Sequence, residues 1–149
     1  MLDTDICSYI IRERPAQVLE KFQKIEMDQL FISVVTYAEL LYGVEHSSSK
    51  KINREIVEDF VRHLSIKAWD ENAAEHYGNI RAILQSKGKI FGALDLMIAA
   101  HARSQKMVLV TNNDKHFKRV PKLKVANWAS CVENNQMKRQ PMKLFQYSS

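Results

Sequence analysis

Short apolar runs alternate with amphipathic segments along this chain. Leu30-Phe31-Ile32-Ser33-Val34-Val35 and Met107-Val108-Leu109-Val110 are compact and rich in β-branched residues, the pattern of strands covered on both faces. Met1-Leu2 reads as the end of a very short first strand, Ile66 to Trp69 as another strand, and Lys124 to Ala126 as an edge strand. Helical spacing fills the intervals. Ile6 to Arg12 follows the first strand, and Pro15 suits the first turn of a helix running to about Ile25, with Val18, Leu19, Phe22 and Ile25 as its apolar stripe. A helix spans Thr36 to about Glu45, and Ile52, Ile56, Phe60 and Leu64 mark a long amphipathic one after the Ser47-Ser48-Ser49 loop. Asp70 is placed to cap a helix that ends near Lys87, with Gly88 at the left-handed position beyond it. Gly92 breaks the chain before a helix from about Leu94 to Gln105, and a short turn covers Asp114 to Lys118. This alternation predicts an α/β protein with a central parallel sheet flanked by helices on both faces.

Four polar islands interrupt the pattern: Leu2-Asp3-Thr4-Asp5, Thr36-Tyr37-Ala38-Glu39, Gly92-Ala93-Leu94-Asp95 and Thr111-Asn112-Asn113-Asp114. In a parallel α/β sheet, functional groups collect beyond the carboxyl ends of the strands. Asp3 after Leu2, Glu39 after Val35, and Asn113 or Asp114 after Val110 have that placement. Asp95 opens a helix and shares a face with Ile98, Ala99 and Ala102, so its carboxylate points toward packed surroundings. Each acid taken singly has a plainer explanation. Asp3 caps the helix that follows, Thr36 and Glu39 have capping-box spacing, Asp95 favours the positive end of its helix dipole, and Asp114 caps the next turn. Jointly, their recurrence after buried strands and a glycine break favours one convergent pocket of hard oxygen donors for Mg²⁺ or Mn²⁺, and with it phosphodiester chemistry.

Composition narrows the class. At 149 residues the chain is sized for one domain. We expect that domain over residues 1–130, followed by a polar, basic tail over 131–149 in which Lys138, Arg139 and Lys143 face only Glu133. The longest apolar runs fall far short of a bilayer span, and the first residues lack a basic segment followed by a long apolar one, which predicts a cytoplasmic protein. Cys7 and Cys131 have neither metal-type spacing nor disulfide density and read as reduced thiols. The net charge of +5 is unevenly spread, with Lys115, Lys118, Arg119, Lys122 and Lys124 directly after the fourth island. That cluster taken alone reads as a solvated face, and its adjacency to the acids brings the alternative, a contact for a polyanion, level with it.

These residues resemble the PIN-domain family, and within it the VapC-type toxins of bacterial toxin–antitoxin modules. The resemblance covers roughly Leu2 to Trp128. It is carried by Leu2-Asp3-Thr4-Asp5-Ile6, by Ile32 through Leu40 with Glu39, by Asp95 through Ala102, and by Leu109 through Phe117. It implies that Asp3, Glu39 and Asp95 are the core acids, with Asp3 and Asp95 as Mg²⁺ ligands and Glu39 as a supporting ligand or base. It also implies a fourth position at Asn113 or Asp114. Thr4 and Thr111 would be hydroxyl donors, and Lys115, Lys118, Arg119 and Arg81 would hold flanking phosphates. The implied function is an endoribonuclease cutting RNA, including tRNA, silenced by a VapB-like antitoxin, forming a homodimer, and binding operator DNA as a toxin–antitoxin complex.

Two departures set expectations of their own. Asp5 stands where the family usually has Asn, adding a carboxylate beside the pocket. Family members usually begin several apolar residues earlier, which leaves Asp3 on a weakly anchored first strand. Both keep open a rival reading, a catalytically weakened PIN module that serves only as an antitoxin-bound operator corepressor. A PIN-like nuclease acting on structured DNA is a second rival. A phosphorylation receiver fits less well, because Glu39 stands where its acceptor aspartate would be expected.

Overall fold

The structure, a computed structural model, describes residues 1–130. The tail over 131–149 and Cys131 lie outside the described residues. Within them the chain runs α1 (Thr4–Ile11), α2 (Ala16–Gln23), a 3₁₀ turn (Met27–Gln29), β1 (Phe31–Ser33), α3 (Val34–His46), α4 (Lys50–Arg62) and β2 (Ser65–Lys67). It continues through α5 (Glu71–Ser86), α6 (Ala93–Ser104), β3 (Leu109–Val110), α7 (Asp114–Phe117) and β4 (Val125–Ala126).

All strand pairings among the described residues are parallel. Phe31 to Ser33 pair with Ser65 to Lys67, and Leu109-Val110 pair with Val125-Ala126. Leu2 joins the two halves by bridging Ile32 on one side and Val110 on the other. The sheet order is therefore β2, β1, the Leu2 segment, β3, β4. Far from being weakly anchored, that first segment occupies the middle. Its Leu2 N–H donates to the Phe31 carbonyl (2.8 Å), the Asp3 N–H to Val110 (3.0 Å), and the Val110 N–H to Met1 (2.8 Å).

Alternation along the strands sorts the core into two. Leu2, Ile32 and Val110 face a cluster with Ile6 and Ile10 of α1, Val18 of α2, Leu40 and Val44 of α3, and Val57 of α4. Met1 and Leu109 point the opposite way, against Ile80 and Leu84 of α5, Leu96 and Ile98 of α6, and Phe117 of α7. Helices thus cover both faces, as a parallel sheet requires. Each fully buried aliphatic or aromatic side chain contributes roughly 1.5–3 kcal/mol through removal from water. Cys7 is a buried free thiol within the first cluster.

One boundary moves. The apolar run to Val35 predicts a longer strand, but helix α3 starts at Val34, because Ser33 turns its hydroxyl back to accept the Val35 N–H (3.1 Å). Thr36 therefore lies inside the first turn, and the capping box with Glu39 does not form. Ser33 Oγ also meets His101 Nδ1 of α6 at 2.8 Å, both residues being fully buried. One hydroxyl so ties the helix bearing Glu39 to the helix bearing Asp95. Ser33→Ala should cost about 1–2 kcal/mol by removing both the cap and a buried partner of His101, read from urea unfolding midpoints; an unchanged midpoint would contradict this role.

Candidate active site

Three separate elements deliver carboxylates to one cavity of about 200 Å³ lined by Asp3, Thr4, Asp5, Glu39, Asp95, Asn113 and Phe117. It lies beyond the carboxyl ends of Leu2, β1 and β3, where Asp3, α3 and the Thr111-Asn113 corner begin. Asp3 has a dual role. Its Oδ1 accepts the Ile6 N–H at 2.9 Å as the cap of α1, and its carboxylate also receives the Thr111 hydroxyl. The plainer capping explanation is therefore correct and does not compete with a place in the pocket. The Thr4 hydroxyl donates to Glu39 Oε1 at 2.6 Å and lies 3.4 Å from Thr36 Oγ1. Asp95 enters from the first turn of α6, partly exposed.

Gathering four carboxylates raises the free energy of their ionised forms. Burial pushes the Asp3 carboxyl up to about 8, opposed by its bonds from Thr111 and Ile6 and aided by the charges of Asp5 and Asp95. Asp95 is pushed up to about 6 by burial and by the charges of Glu39 and Asp5. Glu39 is raised by burial, against the Thr4 hydroxyl, and Asp5, on the solvent-exposed side, is raised by partial desolvation against the Arg12 charge.

The Asn113/Asp114 alternative has a geometric answer. Asn113 lines the cavity, whereas Asp114 does not. The Asp114 carboxylate is held by the Lys118 ammonium and by Asn127 Nδ2 (3.1 Å), contacts that keep its carboxyl below the usual range. The cap of α7 is Asn113 rather than Asp114. Thr111 is buried behind the pocket, receiving the Asn113 N–H on its hydroxyl at 2.9 Å. The basic residues stand outside the lining. Lys115 is exposed, Lys118 pairs with Asp114, Arg119 donates to the Lys89 carbonyl (3.4 Å), and Arg81 bonds the Tyr77 hydroxyl (2.8 Å). Phe117 of the lining was not foreseen as a site residue, although its spacing of four from Asn113 puts the two on one face of the turn.

The donor set suits a hard divalent cation. Every polar lining group offers oxygen, and neither histidine nor cysteine contributes. Among the described residues no three acidic, histidine or cysteine side chains approach closely enough to enclose an ion by themselves.

The PIN domain model matches residues 1–123. The chain belongs to the PIN-domain family. Among curated PIN proteins it is 42% identical over 128 residues to Ribonuclease VapC2 of Haemophilus influenzae, covering 86% of this chain and 96% of that protein. It is 42% identical over 129 residues to the tRNA(fMet)-specific endonuclease VapC of Shigella flexneri, covering 87% and 97%. The solved VapBC2 of Rickettsia felis bound to a promoter DNA fragment matches with a TM-score of 0.81 at 38% identity, over 86% of this chain and 97% of that one. DNA-bound VapBC of Salmonella typhimurium matches at 0.82 and 40% identity, over 87% and 97%.

The raised carboxyls make stability depend on pH. An acid whose folded pKa exceeds its unfolded value adds stability below the unfolded value, 3.8, and loses it as pH rises through the folded values of about 6 and about 8. With a chelator present, the melting temperature should fall across that window, and Asp95→Asn should flatten the fall. Mn²⁺ should raise it most at the alkaline end. A melting temperature that climbs with pH, or a Mn²⁺ effect equal at both ends, would count against the pocket as described.

Proposed function

We propose that this chain is a divalent-metal-dependent endoribonuclease of the VapC type, acting on RNA in the cytoplasm and silenced by a VapB-like antitoxin. The observation that carries the reading is the convergence of Asp3, Glu39, Asp95 and Asn113 on one cavity in a chain 42% identical to curated VapC ribonucleases. Among the described residues no helix is long and apolar enough to cross a membrane. The R. felis and S. typhimurium structures, VapBC complexes on DNA, support an antitoxin partner and operator binding by the joint complex. Mg²⁺ is the preferred ion, Mn²⁺ its substitute, tRNA the first substrate class to test, and a homodimer the expected assembly.

Asp3 and Asp95 would hold the cation, with Glu39 and Asn113 as further oxygen contacts. A cation there supplies an activated water and a counter-charge for the scissile phosphate. The protein's own groups set the geometry. Thr4 fixes the Glu39 carboxylate by its hydrogen bond, and the Ile6 amide and Thr111 hydroxyl hold Asp3 in place. Glu39, at the cavity wall and held by Thr4, is placed to accept a proton from the attacking water. Lys115, exposed at the start of α7, and Arg119 beyond it are candidate contacts for phosphates flanking the cleavage point. Lys118 and Arg81 are engaged within the protein and would have to exchange partners to serve RNA.

The corepressor alternative draws on one feature, the additional carboxylate of Asp5 in the lining. Purified protein should be incubated with total tRNA, with other RNA and with DNA, in Mg²⁺, Mn²⁺ or chelator. RNA cleavage should require the ion and be lost in Asp3→Asn and Asp95→Asn, and Asn113→Ala should lower it about tenfold or more below Asp114→Asn. Cleavage that survives chelation or either aspartate substitution would overturn the proposal. A wild-type protein that cuts nothing yet binds antitoxin and operator would establish the corepressor instead, and cleavage of DNA alone would establish the other nuclease reading.

A further inference from the structure

We propose that His116 is a positioning residue that turns the Asn113 side chain so that its carbonyl oxygen, rather than its amino group, faces the acidic cavity. The inference rests on the metal-site reading above. Asn113 Nδ2 lies 2.9 Å from His116 Nδ1, while its backbone N–H is committed to Thr111 Oγ1 at 2.9 Å. The His116 ring is itself held flat against Phe91, with centroids 5.6 Å apart and planes 20° from parallel. Phe91 in turn meets the buried Phe117 edge-on at 5.5 Å. In this proposal the fixed ring carries its proton on Nε2, so that Nδ1 accepts from the amino end of the amide and leaves Oδ1 to the pocket that Asn113 lines.

The opposite orientation is sterically free, because the oxygen and nitrogen of an amide are nearly the same size. Electrostatics alone would choose it. Facing Asp3, Asp5, Glu39 and Asp95, an unrestrained amide turns its N–H donors toward the carboxylates and presents partial positive charge to an arriving cation. The hydrogen bond to His116 opposes that choice and keeps an oxygen donor in place before metal arrives. No sequence signal in the acids reveals this. The signal is the spacing of three residues between Asn113 and His116 in Asn113-Asp114-Lys115-His116.

Mn²⁺ affinity measured by isothermal titration calorimetry at one fixed pH separates this from a structural role. His116→Ala should weaken Mn²⁺ binding roughly tenfold, the lower end of what losing a group that orients a metal ligand costs. His116→Gln, whose amide oxygen can still accept, should recover part of the loss. Asn113→Asp has two equivalent oxygens and no orientation to lose, so adding His116→Ala to it should change affinity by less than about twofold. Equal losses from His116→Ala in the wild-type and Asn113→Asp backgrounds, or no loss in the wild-type background, would overturn the proposal. Mn²⁺ binding unaffected by Asp95→Asn would overturn the metal-site reading itself, a result distinct from either.

Discussion

The backbone of Met1 to Asp3 hydrogen-bonds in both directions, to Phe31 on one side and to Val110 on the other, and among the described residues no other segment joins the two halves of the sheet. Leu2, 1% exposed, fills the first core cluster while Met1, its neighbour across the pleat, fills the second. Because Asp3 is the next residue, its place at the carboxyl edge is set by sheet register rather than by a loop. A one-residue slip would send Leu2 to the wrong face and Asp3 out of the pocket. The acid pushed up to about 8 is thus fixed by a backbone segment hydrogen-bonded on both sides.

That constraint explains how unfavourable electrostatics persist. Asp3 is almost wholly buried with two hydrogen bonds from protein, Glu39 has one from Thr4, and Asp95 has none among the described contacts. The fold keeps these carboxyls together, with their pKa values raised by burial, instead of dispersing them. In the proposed function such strain would be relieved by a cation, so metal affinity and the loss of stability toward alkaline pH would derive from the same charges. The Ser33–His101 contact extends the rigidity by linking the helices that carry Glu39 and Asp95.

Much of this was legible in the residues. Periodicity located the helices and the parallel strands, and Asp70 caps α5 through its bond to the Ala73 N–H (3.0 Å), with Gly88 at φ 63° beyond the helix end, as their positions imply. The meeting of Asp3, Glu39 and Asp95 at one cavity was legible because strand ends and helix starts gather along one sheet edge. Less legible were features decided by single side-chain bonds. Ser33 in an apolar run reads as strand, yet its hydroxyl starts α3 two residues early. Asn113 and Asp114 differ by one position in sequence but by direction in space, and only the Lys118 and Asn127 contacts reveal which way Asp114 turns. The weight of Asp5 was visible as an extra charge, but its entry into the lining depends on the course of α1.

The most direct measurement is a crystal structure of the full chain soaked in Mn²⁺ and collected at an energy where manganese scatters anomalously. The account predicts one strong anomalous peak inside the cavity, in contact with Asp3 and Asp95, with the Asn113 side chain turned toward it and Asp114 still on Lys118. A cavity without a peak at saturating Mn²⁺, or a peak bound by Asp114 in place of Asp3 and Asp95, would contradict it.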